Sequence, residues 1–552
     1  MPPGLSRSNS CVDIDFTLRR KFKKTAFRPL QRDVIVAALE GNDVFVQAAT
    51  SFGKSLCFQL PAVIDHGITI VISPLLSLMV NALRAADIDA GTINGKTPYE
   101  EKQRLLQDLA TGHPLTRLLY VTPEQCATES FRRHLRVVHK QRELARIAVD
   151  EAHCISEWGH DFRPSFKQLK WFRENFPDVP IICLTATATP QVRQDVISTL
   201  GLSEANLKVF TMTTSRKNLH YEVRFKSDEE DHYEDFRMWL GGVHKRRAED
   251  SERRSELERR NQRLDNVSGI IYTLFRSDCE TLAARLRADG IGAKPYHAGL
   301  PNDEKNETLQ RWVNNDKGYD VIVATTAFGM GIDKENVRFV VHWQVPKSFE
   351  GFYQEAGRAG RDGKSSLCIM YYSREDRDRA YNRLSKDAKE NNSNMEARLK
   401  SLQALIKYCE DTGTCRHCMI CSYFGEKGVP ECDYACDWHK DPTGLRKAKE
   451  SGLQSEDWNM EFADLCSAFG RMTRTSSTMP ANGAKANTKI PMRVALSYKT
   501  DDNTTVNGAH EVVMVDLEFD HRDDFFGAIK QTFRAIEKSD MDSHSNIGNR
   551  VF

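Results

Sequence analysis

Short apolar runs alternate with longer amphipathic stretches through the first part of the chain. The runs lie at residues 44–46, 68–72, 118–121, 147–149 and 181–184. A run of this length is typical of a strand buried on both faces, and its alternation with helical periodicity is typical of βαβ units. The pattern predicts an α/β domain with a parallel sheet over residues 21–225.

A second α/β rhythm follows a charged stretch. Its apolar runs lie at residues 269–272, 321–324, 339–342 and 367–371. They predict a second α/β domain over residues 267–385. Residues 226–266 are rich in Lys, Arg and Glu with almost no apolar periodicity, which predicts an exposed charged helix, a mobile insertion or a linker.

Both ends of the chain have weaker patterns. Residues 1–20 are polar and serine-rich, which predicts a disordered lead. Residues 441–552 are uncertain and are compatible with a small α+β unit containing strands at 492–498 and 512–519 and a helix at 523–536.

Composition limits the class of protein. A chain of 552 residues is long enough for several domains. Its 78 basic and 77 acidic side chains leave a net charge of +1, so a nucleic-acid surface must be a local patch. The sequence lacks an apolar leader and any run long enough to span a bilayer, so we expect a soluble intracellular protein without membrane association. Its 14 cysteines are then thiols and metal ligands rather than a disulfide framework.

Two motifs at strand ends indicate a nucleoside triphosphate site. Gly53-Lys54-Ser55 follows the first run, and Asp150 and Glu151 end the fourth. The carboxyl ends of parallel strands share one edge, so these residues should meet there. Backbone N–H groups of the loop would cradle phosphates, with Lys54 reaching the β- and γ-phosphates.

The same motifs assign the hydrolytic roles. The Ser55 hydroxyl and the Asp150 carboxylate would hold Mg²⁺, and Glu151 would orient or deprotonate the attacking water. The loop is poor in glycine, because Ala48 stands where the full pattern has glycine and Ser51 and Phe52 precede Gly53. This composition could slow turnover by hindering the close approach of backbone to phosphate.

A glycine-rich segment in the second domain offers positive charge for the phosphates of the nucleotide. Residues 354–363 contain Arg358 and Arg361, three positions apart at a predicted helix end. One guanidinium there could contact the transferring phosphate as an arginine finger. The pattern therefore predicts an ATP site between two domains.

Taken in order, the motifs resemble those of a RecQ-type superfamily 2 DNA helicase. The matching segments are residues 27–31, 53–55, 73–75, 122–124, 150–153, 185–189 and 354–363. The resemblance covers roughly residues 16–440. It implies two tandem RecA-like parallel-sheet domains, a small zinc-binding helical region at residues 386–440, ATP-driven DNA strand separation and 3′-to-5′ translocation.

The resemblance assigns further residues to the ATP site. It implies that Gln31 hydrogen-bonds the adenine, that Arg28 supports it, and that Arg361 carries the finger while Arg358 supports the γ-phosphate. His153 and Gln354 would couple hydrolysis to DNA. The full set of predicted ATP contacts is Phe27, Arg28, Gln31, Thr50, Ser51, Phe52, Gly53, Lys54 and Ser55.

The segment at residues 155–166 looks like the aromatic-rich loop of the family and favours DNA over RNA. Trp158, Phe162 and Phe166 could stack on unpaired bases, since stacking is tolerant of sequence. His160 and Arg163 would report strand occupancy to the ATP site. In the second domain, segments containing His297 and Thr325 resemble elements that grip DNA phosphates, so the predicted partners are single-stranded and forked DNA.

A cysteine cluster after the second domain predicts a structural zinc site. Matching to the family assigns Cys415, Cys432, Cys436 and His439 as ligands, with histidine where the family carries a cysteine. Cys418 or Cys421 could substitute for one of them. Four protein ligands leave no open position for catalysis.

Two other functions stay open at this point. One is an RNA helicase of the Asp-Glu-Ala-His class, whose motor motifs are similar. The other is a DNA-binding scaffold with impaired ATP turnover, suggested by the glycine-poor loop. The expected location is the nucleus and the expected role is recombination or repair, both from the resemblance alone.

Overall fold

The computed structural model describes residues 14–453, apart from short gaps, and four strands between residues 486 and 519. The gaps are residues 50–51, 75–76, 160–161, 227–230, 260–262, 264, 266, 330–331, 333, 391–393, 430–431 and 434. The chain forms two compact units, residues 1–455 and residues 456–552.

The first lobe contains a parallel sheet of seven strands. These are β1 (Asp43–Gln47), β2 (Ile68–Ile72), β3 (Ala90–Ile93), β4 (Leu118–Val121), β5 (Leu144–Asp150), β6 (Ile181–Thr185) and β7 (Leu207–Thr211). Their order is β3-β4-β2-β5-β6-β1-β7, and every pairing is parallel. Side chains alternate between two apolar cores, with Phe45 on one face and Val44 and Val46 on the other. Both faces are covered, as the continuous apolar runs predict.

Helices cover the faces of this sheet. They are α1 (Ile14–Phe22), α2 (Gln31–Leu39), α3 (Leu56–Ile64), α4 (Ser77–Ala85), α5 (Tyr99–Ala110), α6 (Pro123–Cys126), α7 (Glu129–Lys140), α8 (Pro164–Lys167), α9 (Lys170–Asn175) and α10 (Pro190–Thr199). A short 3-10 helix (Ala152–Ile155) follows β5. The prediction of disorder up to residue 20 is wrong from Ile14 onward. Leu18 of α1 is fully buried and packs in one cluster with Ile35 and Leu60, and this burial holds α1 on the lobe.

The second lobe has a parallel sheet of six strands. These are β8 (Leu219–Phe225), β9 (Gly269–Tyr272), β10 (Ala293–Tyr296), β11 (Val321–Ala324), β12 (Phe339–His342) and β13 (Ser366–Tyr372), in the order β10-β11-β9-β12-β13-β8. Its helices are α11 (Tyr233–Glu249), α12 (Ser251–Arg259), α13 (Arg276–Ala288), α14 (Asn302–Val313) and α15 (Phe349–Ala356). The predicted architecture of two parallel α/β lobes is confirmed.

The boundary between the lobes lies earlier than the predicted residue 225. β8 pairs with β13 of the second sheet along seven residues, from Leu219 opposite Ser366 to Phe225 opposite Tyr372. Tyr221 and Val223 are buried in the second lobe's core, and this burial decides which sheet the strand joins. The lobes are therefore joined by residues 212–218, which we call the lobe linker.

Part of the charged stretch is also more ordered than predicted. In α11, Tyr233, Phe236 and Leu240 are buried in a core on one face of the second sheet. These three apolar positions at helical spacing are enough to dock the helix, although charged residues dominate the remaining surface. Helix α11 therefore packs on the second sheet and is not a solvated spacer.

The remaining helices form a region that packs on the second lobe. They are α16 (Arg374–Glu390), α17 (Met395–Glu410), α18 (Arg416–Tyr423), α19 (Asp437–Lys440) and α20 (Pro442–Gly452). Leu402, Leu405 and Tyr408 of α17 share a core with Phe349 and Phe352 of α15. This shared apolar core makes the region part of the first compact unit.

The second unit has four described strands: β14 (Ala486–Val494), β15 (Ser497–Lys499), β16 (Thr505–Asn507) and β17 (Glu511–Phe519). β14 pairs antiparallel with β17, and β15 with β16. The predicted strand at 512–519 falls within β17, the one at 492–498 spans the end of β14 and the start of β15, and the helix at 523–536 lies outside the described residues. Among the described residues, no helix combines the length and apolar character that crossing a lipid bilayer requires.

Candidate functional site

The loop after β1 is shaped by one glycine and by contacts to α2. Gly53 has a φ of 80°, and a Cβ there would lie 2.9 Å from Nε2 of Gln31. A side chain at this position would therefore be strained and crowded. The Gln31 amide donates to the carbonyl oxygens of Phe52 at 2.8 Å and Gly53 at 3.3 Å. The loop backbone is thus fixed just before α3 begins.

Lys54 is held inside this loop. Its Nζ donates to the carbonyl oxygens of Ala48 at 3.0 Å and Ala49 at 3.5 Å, and the residue is buried. Burial lowers the pKa of Lys54, while the nearby carboxylates of Glu151 and Asp150 act in the opposite direction. The cation is therefore placed against two acidic groups at the carboxyl edge of the sheet.

The acidic pair lies at the end of β5. Asp150 Oδ2 accepts from the Ser73 hydroxyl at 3.3 Å, and Oδ1 accepts from the backbone N–H of Glu151 at 3.1 Å. Burial raises the pKa of Asp150, and Lys54 opposes that shift. Glu151 has the left-handed values φ 50° and ψ 46°, which are unfavourable for a residue with a side chain.

The second lobe supplies arginines on the other side of this site. Arg361 lies near enough to Lys54 that its charge lowers the pKa of Lys54. Its guanidinium also donates to the Ile332 carbonyl oxygen at 2.6 Å. Arg358 is buried and lies near the hydroxyl of Tyr272. Arg361 of the second lobe therefore acts electrostatically on Lys54 of the first lobe in this conformation.

A chain of polar contacts connects the acidic pair to the second lobe. His153 Nδ1 lies 3.4 Å from Glu151 Oε2 and 3.0 Å from the Thr185 hydroxyl. The Thr185 hydroxyl accepts from the backbone N–H of Thr187 at 3.1 Å, and the Thr187 hydroxyl accepts from Gln354 Nε2 at 3.2 Å. The sequence motif 185–189 marked these threonines, but their place between His153 and Gln354 had no sequence signal.

The predicted adenine-binding residues meet the loop itself. Gln31 Oε1 accepts from the backbone N–H of Arg28 at 2.8 Å, so both residues lie beside Gly53. Phe27 is half-buried against the cluster around Leu18. Phe52 is buried in an apolar core, so its ring does not narrow the phosphate side of the loop. Thr50 and Ser51 lie outside the described residues, and Ser55 directly precedes α3.

The aromatic-rich loop is only partly as predicted. Trp158 is 37% exposed, with Lys400 Nζ 5.7 Å from its ring centre, and Phe162 is half-buried with Lys167 Nζ 5.5 Å from its ring. The stacking role assigned to Phe166 is wrong, because its ring is fully buried in the first lobe's core.

The other predicted DNA contacts have mixed exposure. Arg163 is half-buried, and its backbone N–H donates to the Cys154 carbonyl oxygen at 3.0 Å. His297 is buried and its Nε2 lies 2.8 Å from Glu280 Oε1, whereas Thr325 is half-exposed at the end of β11. His160 lies outside the described residues.

The four predicted metal ligands converge on one point. The ligand atoms of Cys415, Cys432, Cys436 and His439 all lie within 4.8 Å of one another. Sulfur-to-sulfur distances are 3.4–4.0 Å, and His439 Nδ1 lies 3.2 Å from Cys432 Sγ and 3.3 Å from Cys436 Sγ. Such spacings suit a tetrahedral Zn²⁺ with Zn–S bonds of about 2.3 Å.

The two alternative cysteines serve other contacts. Cys421 Sγ lies 3.4 Å from the Thr214 hydroxyl oxygen, and the Cys418 thiol faces the Val429 carbonyl oxygen at 3.9 Å. Hydrogen bonding from Cys436 lowers the pKa of Cys415 to about 3, which favours the thiolate that binds metal. The donor set therefore fits Zn²⁺ with three sulfurs and one imidazole.

Comparison with known proteins gives three adjacent family matches. The DEAD/DEAH box helicase family matches residues 28–196, the helicase conserved C-terminal domain matches residues 254–363, and the RecQ zinc-binding family matches residues 374–440. The three matches follow one another in the order of the two lobes and the metal cluster.

Curated relatives match over most of this chain. ATP-dependent DNA helicase Q5 of Rattus norvegicus is 41% identical over 80% of this chain and 45% of its own length. RecQ-like DNA helicase BLM of Xenopus laevis is 40% identical over 74% of this chain and 28% of its own length. ATP-dependent helicase SGS1 of Saccharomyces cerevisiae is 40% identical over 75% of this chain and 27% of its own length. The chain spans less than half the length of these three relatives.

Proposed function

Because the chain belongs to the RecQ-type family of superfamily 2 helicases, we propose that it is an ATP-dependent helicase that separates DNA strands. The observation that carries the proposal is the placement of Lys54, Asp150 and Glu151 at one edge of the first sheet, with the charge of Arg361 from the second lobe acting on Lys54. A phosphoryl-transfer site needs cations around the phosphates and a group to orient water, and this arrangement offers both.

The first lobe would hold the nucleotide. Backbone N–H groups around Gly53 and the ammonium of Lys54 would bind the phosphates, while Ser55 and Asp150 would bind Mg²⁺. Bound Mg²⁺ supplies charge neutralisation at the phosphate oxygens. Gln31, already hydrogen-bonded to the loop, would sense the adenine.

Glu151 would orient the attacking water and accept its proton. Its carboxylate lies next to His153, which continues through Thr185 and Thr187 to Gln354 of the second lobe. A change in the relative position of the lobes would therefore reach the water-orienting residue through hydrogen bonds. This supports His153 and Gln354 as coupling residues.

The proposed nucleic-acid partner is DNA with single-stranded and forked parts. Trp158 offers an exposed aromatic face for base stacking, and Lys400 next to it offers a charge for a phosphate. The names of the relatives, which are DNA helicases, support DNA rather than RNA. We propose 3′-to-5′ translocation, a role in recombination or repair and a nuclear location on the same family basis.

Zinc would have a structural role in this protein. The four side chains of the cluster would complete a closed Cys₃His site, so no ligand position is left for a reaction. The cluster would hold α18 and α19 together beside β8, where the backbone of Tyr221 meets that of Ala435.

One assay tests the proposal. Phosphate release and strand separation are measured with forked DNA, single-stranded DNA and RNA, for the wild type beside Lys54→Ala. We expect hydrolysis that depends on single-stranded DNA, strand separation that depends on ATP, and loss of both in the variant. Stimulation by RNA alone would favour the RNA helicase, and tight DNA binding with no effect of Lys54→Ala would favour the scaffold.

A further inference from the structure

The lobe linker is a buried and extensively hydrogen-bonded segment. Thr214 and Arg216 are 2% and 8% exposed. A tether that only joined two domains would be solvated and would need no side-chain partners. The contacts of this linker instead reach two places, the loop that carries the arginines and the zinc-binding region.

Arg216 contacts the loop that carries Arg358 and Arg361, which we call the finger loop (residues 357–363). Its Nη1 donates to the Gly357 carbonyl oxygen at 2.9 Å. Its Nη2 donates to the carbonyl oxygens of Ala359 at 3.1 Å and Gly360 at 2.6 Å. One planar guanidinium thus holds three carbonyl groups on both sides of Arg358 and directly before Arg361.

Asn218 fixes the same loop at its turn. Its Nδ2 donates to the carbonyl oxygens of Gly360 at 2.8 Å and Lys364 at 3.0 Å. Gly360 has a φ of 55°, and a Cβ there would lie 2.5 Å from this nitrogen. The turn before Arg361 can therefore keep its shape only as glycine against the linker.

The zinc-binding region holds the linker from its other side. Glu426 accepts from the hydroxyls of Thr213 at 2.8 Å and Thr214 at 2.6 Å, and from the backbone N–H of Thr214 at 2.5 Å. His417 Nδ1 lies 3.2 Å from the Ser215 hydroxyl. Both residues belong to the region that carries the metal cluster, so this region fixes the linker at residues 213–215.

We infer that Arg216 is a positioning residue for ATP hydrolysis, which sets the backbone of the finger loop and thereby aims Arg361 at the nucleotide. The inference rests on the proposed function. The hydrogen-bond partners of Arg216 described above are carbonyl groups of the finger loop, which a smaller side chain would leave without their donor. A displacement of about 1 Å at a reacting group can cost about a hundredfold in rate, so loosening this loop should act mainly on the chemical step.

The test is a double-mutant cycle between Arg216 and Arg361. Single-turnover cleavage of radiolabelled ATP on single-stranded DNA is measured for the wild type, R216A, R361A and the double variant, beside nucleotide affinity and thermal stability. We expect R216A to lower the rate roughly ten- to a hundredfold, with nucleotide affinity within about threefold. In the R361A background the same substitution should have almost no further effect, because the residue it positions is gone.

Three further variants separate positioning from folding. R173A removes an arginine that donates to the carbonyl oxygens of Pro177 and Val179 and to Asp43 in the first lobe, and its catalytic rate should stay near the wild-type value. R216K keeps the charge but cannot span Gly357 and Gly360, so it should restore only part of the rate. E426Q weakens the contact between the zinc-binding region and the linker, and it should lower the rate of ATP cleavage in the wild-type background. In the R361A background it should have almost no further effect, as expected for R216A.

The outcomes are distinguishable. The inference would be overturned if R216A lowered the rate of ATP cleavage by the same factor in the wild-type and R361A backgrounds. It would also be overturned if a folded R216A protein cleaved ATP at the wild-type rate. If R216A does not fold, E426Q replaces it in the test: an equal rate loss in both backgrounds, or a wild-type rate in folded E426Q, would overturn the inference. A wild-type chain without DNA-stimulated hydrolysis would instead contradict the proposed function.

Discussion

The two walls of the proposed ATP cleft are built in different ways. In the first lobe, Lys54, Asp150 and Glu151 follow the ends of parallel strands, so the sheet topology alone brings them together. In the second lobe, Arg358 and Arg361 lie on a loop after α15 that depends on donors from outside the loop. The first wall is thus fixed by the fold, whereas the second depends on hydrogen bonds from the segment that joins the lobes.

Within the first wall, the largest expected effect comes from replacing the water-orienting residue. Glu151→Gln should lower the rate of ATP hydrolysis by about a thousandfold, since it removes a proton acceptor while preserving shape. Nucleotide affinity should change little, as Lys54 and Asp150 remain. Phosphate release and equilibrium binding of a fluorescent nucleotide measure the two quantities. A variant that hydrolyses ATP at the wild-type rate would remove Glu151 from the mechanism.

The second wall should depend on the metal cluster, because the cluster region holds the linker. His439→Ala removes one of the four ligand atoms and should lower zinc affinity by at least about a hundredfold. ATP turnover should fall with zinc content, while nucleotide binding by the first lobe persists. Metal analysis and hydrolysis rates are measured on the same preparation.

The matched control for that experiment is Cys418→Ser. The Cys418 sulfur faces the Val429 carbonyl oxygen and does not belong to the four-residue group. This variant should retain zinc and turnover. Loss of zinc from Cys418→Ser but not from His439→Ala would mean that the ligand assignment is incorrect.

An intermediate effect is expected at the aromatic-rich loop of the first lobe, which is proposed to bind DNA. Trp158→Ala should weaken binding of single-stranded DNA by ~1–3 kcal/mol through lost stacking. Phe166→Ala is the contrast, because that fully buried ring should cost about 3–5 kcal/mol of folding stability instead. Fluorescence anisotropy and thermal unfolding distinguish them. Equal losses of DNA affinity at unchanged stability would contradict the different roles of the two aromatics.

The smallest effect concerns the hydrogen bond between the walls. Gln354→Ala removes the donor to the Thr187 hydroxyl, a neutral bond worth about 1 kcal/mol. The stimulation of hydrolysis by DNA, taken as a ratio to the rate without DNA, should fall roughly fivefold. Thr187→Val removes the acceptor of the same hydrogen bond and should lower the stimulation ratio by a similar factor. An unchanged ratio in both variants would exclude this bond from coupling.

What the sequence predicts well is what depends on local pattern. The apolar runs indicate both parallel sheets, and strand ends identify Lys54, Asp150 and Glu151 because topology carries them to one edge. The cysteine cluster likewise indicates a metal site, but the four side chains that converge in the structure are selected by matching to the family, because Cys418 and Cys421 remain alternatives in the sequence. In each case the partners are defined by residue type or by position in a strand.

What the sequence does not predict depends on tertiary context. Phe166 has the composition of a stacking residue but is fully buried in the first lobe's core. The strand from Leu219 to Phe225 follows the first lobe in sequence yet pairs with the second sheet. The partners of Arg216 are backbone carbonyl groups, which every residue has, so no residue pattern marks its role.

The most direct test of the two-walled cleft is the rate of ATP cleavage by Arg361→Ala at saturating ATP and single-stranded DNA. Loss of an arginine finger typically costs 10³–10⁵ in rate, so we predict a fall of at least about a thousandfold with nucleotide affinity retained. Arg361→Lys should recover little of it, because a point charge does not replace the planar guanidinium. Cleavage within about threefold of the wild-type rate would contradict the claim that the second lobe completes the site.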